Sequence, residues 1–515
     1  MNRRDLLSGS LKAVASGSLL SHAMSGILQA QTKSSPSVTA FFPKVPSPRA
    51  KLRVKPVMTN MIHSGVWEGP CRFNVVTVQE EKDNVQRTYD SWCEKLRGGA
   101  ITFGDGAEVL EPSLITFNEN FTLPPASLAK LARETRDTDV FFIAPHGTSK
   151  AAFDIVHRFQ KPGVVSVINC RTVDVAAYAK SQGEEILIAN DNDELVRTMD
   201  LLRARKHFCE TRVLFPTNRG YPSVASLTAV TDLEELQERL GVQVTMLPFK
   251  ALDEAMAETL ADADAQEEAL EQAEVLISSA VQTYLDRKYV ASSLLFKKTV
   301  EQLMASHGCN AFTIECFEFC ASLLPQKWTI TPCLIHSLFK DNSIASSCEG
   351  DLGGLLAMRM LMSLSEKSSH LGNMFLHDGK TMEINHSAAG IKMNGFDQPG
   401  LEYKLGRFVE SGWGTKVSAD FMQNPDKRVT VARMHPNARQ VLVMDGQLVG
   451  SKGSEDDNLG CSVSAFIVPT ESGNAEAFVR RQAEYGNHLV WVYGNYVEEM
   501  QQLGDLMGLE VEVIS

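Results

Sequence analysis

Residues 331–364 read TPCLIHSLFKDNSIASSCEGDLGGLLAMRMLMSL. The passage from a small, apolar stretch through an acidic turn into a second helix-like run is strand–turn–helix punctuation. Such punctuation belongs to an α/β sheet, in which the carboxyl ends of strands collect ligands. Two readings of the acidic pair Glu349 and Asp351 in "CEGD" stand side by side. One is a solvated surface turn. The other is a carboxylate placed at a strand end to hold a metal, with an amphipathic helix after it.

The same texture extends outward. "TDVFFIAPHGTSKAAFDIVHRF" (138–159) is an apolar strand, a polar loop and an amphipathic helix. "GVVSVINC" (163–170), "EEILIAND" (184–191), "TRVLFPTN" (211–218), "VTMLPF" (244–249) and "AEVLISSAV" (273–281) are further strand candidates at βα spacing. Continuous apolar runs of this length suit strands of a parallel sheet, buried on both faces. No glycine-rich GxGxxG follows the first strand, which disfavours a dinucleotide site. After about residue 370 the pattern changes to short alternating runs, among them "KRVTVARMH" (427–435) and "RQVLVMDGQLVGS" (439–451), with Asp445-Gly446 as a turn signal. The fold class that follows is α/β: two open α/β sheet domains and then a C-terminal β-rich domain, an antiparallel sheet or barrel. The expected boundaries are an export signal at 1–30, a linker at 31–51, α/β domains at 52–205 and 206–368, and the β-rich domain at 369–515.

A chain of 515 residues exceeds what one core supports. The formal charge of −13 argues against a nucleic-acid binder, which needs a basic stripe. Much of the acid lies in "LDEAMAETLADADAQEEALEQAEVL" (252–276), where its spacing marks a solvated helix face. At the amino terminus a twin arginine, Arg3-Arg4, precedes a weakly apolar stretch that ends in "LQA" at Ala30. That arrangement predicts a twin-arginine export signal and a periplasmic protein, against the alternative of a cytoplasmic leader. Lys12, His22 and several serines interrupt the stretch, so no stable membrane span is expected there. The ten cysteines are scattered; only Cys316 and Cys320, around a probable strand end, are close in sequence. Buried thiols are expected rather than a disulfide framework.

Four groups fall at or after strand ends: Glu349, Asp378 in "NMFLHDGKT", His386 in "MEINHSAAG" and His488 in "GNHLVWVYG". Two carboxylates with two imidazoles suit a divalent ion of intermediate hardness, manganese, cobalt, iron or zinc, better than calcium. Each residue also has a plainer reading. Glu349 suits the start of a helix, Asp378 before Gly379 suits a turn, and either histidine suits a hydrogen-bonded interior position. Asp351 reads as a helix-start residue or as a support behind the metal ligands, and as a cap its loss costs roughly 0.5–2 kcal/mol.

The stretch 331–364, together with "YGNHLVWVYGNYVEEMQQLGDLMGLEVEVI" (485–514), resembles the L-fucose and L-arabinose isomerase superfamily. The resemblance runs from about residue 310 to 515, and the amino-terminal half agrees only in layout. It implies that Glu349 is a metal ligand and a catalytic acid/base. It implies Asp378 as the second catalytic carboxylate and ligand, with His377 competing for that register. His386 and His488 are the implied imidazole ligands. The implied activity is aldose–ketose isomerisation of a sugar through an enediol, with a divalent cofactor, Mn2+ foremost, in a homo-oligomer. Another metal-assisted sugar or polyol reaction, epimerase or lyase, and non-catalytic carbohydrate binding are the alternatives, because fold does not fix function.

Overall fold

The computed structural model describes residues 45–68, 75–230 and 232–514. The leader and most of the linker lie outside these residues. The first sheet is built from β1 (Leu52–Met61), β2 (Ala107–Val109), β3 (Ser113–Phe117), β4 (Val140–Pro145), β5 (Gly163–Ser166) and β6 (Ile186–Ala189). Its order is β2-β1-β4-β5-β6, and every pairing is parallel. β2 and β3 share one edge: β2 pairs with the first residues of β1 and β3 with the last. Val54, Val57, Phe141 and Ile143 have no solvent exposure, as strands covered on both faces require.

The second sheet takes β7 (Arg212–Pro216) and β8 (Gln243–Leu247). The chain then passes through helices Phe249–Ala261 and Ala263–Ser279 and the two-residue β9 (Gln282–Thr283), and returns with β10 (Ala311–Thr313) and β11 (Ser346–Ser347). The order is β11-β10-β7-β8, again parallel throughout. The run 273–281, expected as a strand, instead ends the helix Ala263–Ser279. A short apolar run is ambiguous between strand and helix, and the Ala/Glu/Leu-rich residues before it carry the helical period through it. Ala265, Ala269 and Ala273 are the buried stripe of that helix, and its acidic face is solvated as expected.

The carboxyl-terminal part holds β12 (His370–His377), β13 (Thr381–His386), β14 (Tyr403–Arg407), β15 (Thr415–Ala419), β16 (Arg428–Met434), β17 (Gln440–Lys452), β18 (Val463–Pro469), β19 (Leu489–Tyr493) and β20 (Glu510–Ile514). Six of them run in the order β16-β19-β12-β13-β18-β17, and β17 pairs with β16 again, which closes an antiparallel barrel. β20 adds to β17 in parallel from outside that ring. β14, β15 and β9 form a separate small sheet. Of the two architectures the alternating pattern allowed, the chain adopts the barrel, whose closure leaves no edge in the ring. Asp445-Gly446 is not a turn but lies inside β17, where Arg428 clasps Asp445 across the ladder at 2.8–2.9 Å. A Cβ on Gly446 would meet Ile467 Cγ2 at 2.7 Å, so glycine serves close packing there.

The helix after "CEGD", Leu352–Ser365, is buried on all sides rather than amphipathic. It packs between the helix Asn192–Cys209 on one flank and β16 and β19 on the other. Leu355, Leu356 and Leu361 have exposures of 0–1 %, each burial contributing roughly 1.5–3 kcal/mol. Its one charge, Arg359, is taken up by the carbonyls of His207 at 3.1 Å and Ser343 at 3.0 Å. This helix fixes the second sheet against the barrel. Residues that leave the ends of β10 and β11 therefore meet residues from β13 and from the turn before β19.

Candidate metal and catalytic centre

Glu349 leaves β11 in the left-handed region at φ 62°, and Gly350 follows at φ 66°. Two such residues in succession turn the chain sharply. At Gly350 any Cβ would meet Phe215 Cζ at 2.8 Å and Ser223 at 3.0 Å. His488, at φ 54°, is likewise held left-handed just before β19. Non-glycine residues in this region carry strain and concentrate at functional sites. His386, by contrast, is the regular last residue of β13.

These three side chains converge. Glu349 Oε1 lies 3.5 Å from His386 Nε2, and Oε2 lies 3.4 Å from His488 Nε2. The two rings are 5.5 Å apart between centroids. His386 and His488 are 2 % and 1 % exposed, and neither Nε2 has a hydrogen-bond partner among the described residues. One ligating atom from each of the three lies within 4.8 Å of the others. Buried polar atoms without partners are uncommon, and here two of them face one carboxylate. A carboxylate and imidazole nitrogens at these separations fit a divalent ion of intermediate hardness.

The two histidines differ in what holds them. His488 Nδ1 lies 3.0 Å from Asp351 Oδ2, so a neutral ring donates there and turns the Nε2 lone pair toward Glu349. His386 Nδ1 accepts the Ser387 backbone N–H at 3.0 Å, which leaves the proton of a neutral ring on Nε2. Burial opposes charge on His386, but Cys461 and Glu349 outweigh it and the pKa is pushed up to about 10. Burial likewise opposes charge on Glu349, yet His386 and His488 hold its carboxyl below the usual range. The pocket thus favours positive charge beside a carboxylate.

Asp351 does more than start a helix. It caps Leu352–Ser365 by accepting from Gly354 N at 3.0 Å, it orients His488, and it pairs with the fully buried Arg433. Burial acts against its ionisation, but Arg433 and His488 outweigh burial and hold its pKa well below the usual carboxylate range.

Asp378 is not brought to this group. It stands exposed in the turn between β12 and β13, at φ 50°, accepting from the backbone of Lys380 at 3.2 Å and Thr381 at 3.1 Å. That is the hairpin chemistry of an Asp-Gly pair between alternating runs. The neighbouring His377 is half exposed and bonded to Glu383 at 2.6 Å, also within the hairpin.

A second buried carboxylate close enough to feel the charge of Glu349 is Glu315, the cap of the helix Cys316–Ala321, which the sequence reading did not single out. It follows β10 as Glu349 follows the adjacent β11, and is 1 % exposed. Ala225 N donates to it at 3.1 Å, and Ser223 Oγ lies 3.4 Å from its Oε1 and 2.6 Å from the Glu349 carbonyl. Burial raises its pKa, and the neighbouring Glu318 and Glu349 add to this, against the amides of Glu318 and Ala225. The signal that could have found it was present in "AFTIECFEF" (311–319): a carboxylate at the end of an apolar strand run, as at Glu349.

No protein-family model matches the chain. It is 22 % identical over 325 residues to the sulfoquinovose isomerases of Priestia aryabhattai and Priestia megaterium, covering 62 % of this chain and 68 % of theirs. A sulfoquinovose isomerase of a Clostridium species is 22 % identical over 222 residues, 42 % of this chain and 46 % of that one.

Proposed function

We propose that this protein is a metal-dependent aldose–ketose isomerase acting on an open-chain sugar. The observation that carries the proposal is the convergence of two unpartnered, buried imidazole Nε2 atoms on Glu349. Glu349 and His488 would hold the ion. His386 would join them once its ring, held protonated in the metal-free pocket, releases the Nε2 proton and keeps one on Nδ1, with the Ser387 contact given up. A divalent ion in that place supplies Lewis-acid polarisation of the substrate carbonyl, and Mn2+ suits the oxygen and imidazole donors. The names of the relatives point to the same reaction class and make sulfoquinovose the first substrate to try.

The protein groups handle the proton. Interconverting an aldose and a ketose removes a proton from C2 and delivers one to C1 through a cis-enediol, while a hydroxyl proton passes between the two oxygens. Glu315, rather than Asp378, is the second carboxylate available for this. Its raised pKa brings it closer to neutrality, which suits a group that must both accept and return a proton. Ser223 spans Glu315 and the Glu349 backbone and keeps the two carboxylates in register. Metal-loaded protein incubated with sulfoquinovose in D2O should place deuterium at C2 of the aldose or C1 of the ketose. Sulfoquinovose and simple aldoses all left unlabelled by fully loaded protein would sink the isomerase reading. Export on the Arg3-Arg4 leader is a separate proposal: the double Arg→Lys variant should hold the precursor in the cytoplasm.

A further inference from the structure

Beside this centre lies a second cluster that the isomerase reading does not use. Cys316 follows Glu315, and Cys348 precedes Glu349, so each thiol adjoins one of the two carboxylates in sequence. Their Sγ atoms are 3.2 Å apart, and Cys316 also contacts the Ile314 carbonyl at 3.7 Å. His336, on the helix Cys333–Asp341, completes the group: one ligating atom from each of Cys316, His336 and Cys348 lies within 4.8 Å of the others. Cys348 is 4 % exposed and His336 is 0 % exposed.

The orientation of His336 separates this cluster from a chance gathering of buried thiols. Its Nδ1 lies 2.7 Å from Ser346 Oγ, while Nε2 is buried with no hydrogen-bond partner among the described residues. Burial, with Lys340 and His386 nearby, holds the ring neutral. With the proton on Nδ1 and donated to Ser346, Nε2 offers a bare lone pair. A hydrogen bond that fixes the non-ligating nitrogen in this way is the usual support of a metal-bound histidine.

We propose that Cys316, Cys348 and Nε2 of His336 form a second cation site, distinct from the Glu349 centre, for a thiophilic divalent ion of the zinc class. Two thiols and a neutral imidazole take up one M2+ and release two protons, giving an M(S)2N unit of zero net charge. A buried position tolerates such a unit far better than an unbalanced ion. Three protein donors leave a fourth position for water. The two sites sort ions by donor softness: thiolates select zinc, and the oxygen-bearing centre suits manganese. Because the thiols leave the ends of β10 and β11, the ion clips together the two strands that carry Glu315 and Glu349.

The test is a Co2+ titration of the full-length, reduced, chelator-stripped protein. The expected result is a near-ultraviolet sulfur-to-cobalt charge-transfer band that is abolished by Zn2+ and that, once the other centre is disabled by Glu349→Gln, saturates at one equivalent with two protons released per ion. The band should persist in Glu349→Gln and in Cys461→Ser, whose thiol lies 3.9 Å from His386 Nδ1, and should vanish in Cys348→Ser. Co2+ binding to wild type without a sulfur band overturns the proposal, and this reading holds even if Cys348→Ser does not fold. So does a band that is lost in Cys461→Ser and kept in Cys348→Ser. A Cys316–Cys348 disulfide whose reduction fails to restore zinc uptake also overturns it. None of these outcomes bears on whether the Glu349 centre isomerises sugars.

Discussion

His488 Nδ1 lies 3.0 Å from Oδ2 of Asp351, a carboxylate 137 residues earlier in the chain that is also the partner of the buried Arg433. One side chain therefore caps a helix, neutralises an interior arginine and sets a histidine tautomer. Asp351→Asn keeps an acceptor for the cap but leaves Arg433 without its counter-charge. The expected cost is about 3–5 kcal/mol, well beyond the loss of a cap alone, together with a roughly 10–100-fold fall in metal affinity. Chemical denaturation and metal titration of the same variant check both numbers. A loss confined to about 1 kcal/mol with unchanged metal affinity would show that the Arg433 and His488 contacts carry little.

Glu349→Gln keeps shape and removes the charge that balances a divalent ion. Mn2+ content after gel filtration should fall to a small fraction of wild type, with the thermal midpoint of the metal-free protein little changed. His488→Ala should do the same, and His386→Ala should lose less, because its ring presents Nε2–H rather than a lone pair. Full metal content in both Glu349→Gln and His488→Ala would remove the centre altogether.

Glu315→Gln retains an oxygen for the Ala225 amide but cannot shuttle a proton. The expected effect is a fall of about 10²–10⁴ in kcat for sugar isomerisation, with Mn2+ content held. Asp378→Asn is the contrasting variant. As an exposed turn residue it should leave kcat within about twofold and the thermal midpoint nearly unchanged.

His207 predicts a pH dependence away from the metal centre. It is 4 % exposed, and burial, reinforced by Arg359, lowers its pKa to about 3 despite the bond to the Ala50 carbonyl at 2.8 Å. The folded value lies below the unfolded value of 6.5. Between these values the unfolded chain binds a proton that the folded chain refuses. Stability is therefore intact above about pH 6.5 and falls as pH drops through the window, by at most about 1.4 kcal/mol per unit. His207→Gln should flatten that slope by one proton in denaturation followed from pH 7 to pH 4. An unchanged slope would place the proton uptake elsewhere.

Local pattern alone was enough to set the layers. Continuous apolar runs at 140–145, 163–166, 186–189 and 212–216 could be covered only on both faces, and alternation beyond 370 could serve only an antiparallel sheet. The run 273–281 marks the limit of such reasoning, since its first seven residues take their state from the helix they continue. Barrel closure was likewise open, because the β16–β17 pairing joins the two ends of an array that alternation describes equally well unclosed.

Glu349 and His386 at strand ends and His488 at the head of a strand were joined in the sequence only by the family resemblance; their spacing did not join them, because their meeting depends on how the buried helix Leu352–Ser365 seats the second sheet against the barrel. Asp378 and Glu315 show the same limit from opposite sides. Asp378 fitted a spacing in a stretch whose Asp-Gly pair closes a hairpin, and its side chain is spent on its own turn. Glu315 lay inside the resembling span without being singled out, yet the parallel pairing of β10 with β11 sets its strand end beside that of Glu349. Propensity and period act over a few residues and are written in the chain. The neighbour across a sheet, the partner of a buried charge and the free nitrogen of a histidine are settled by packing between segments 34, 82 and 137 residues apart, which no local pattern reaches.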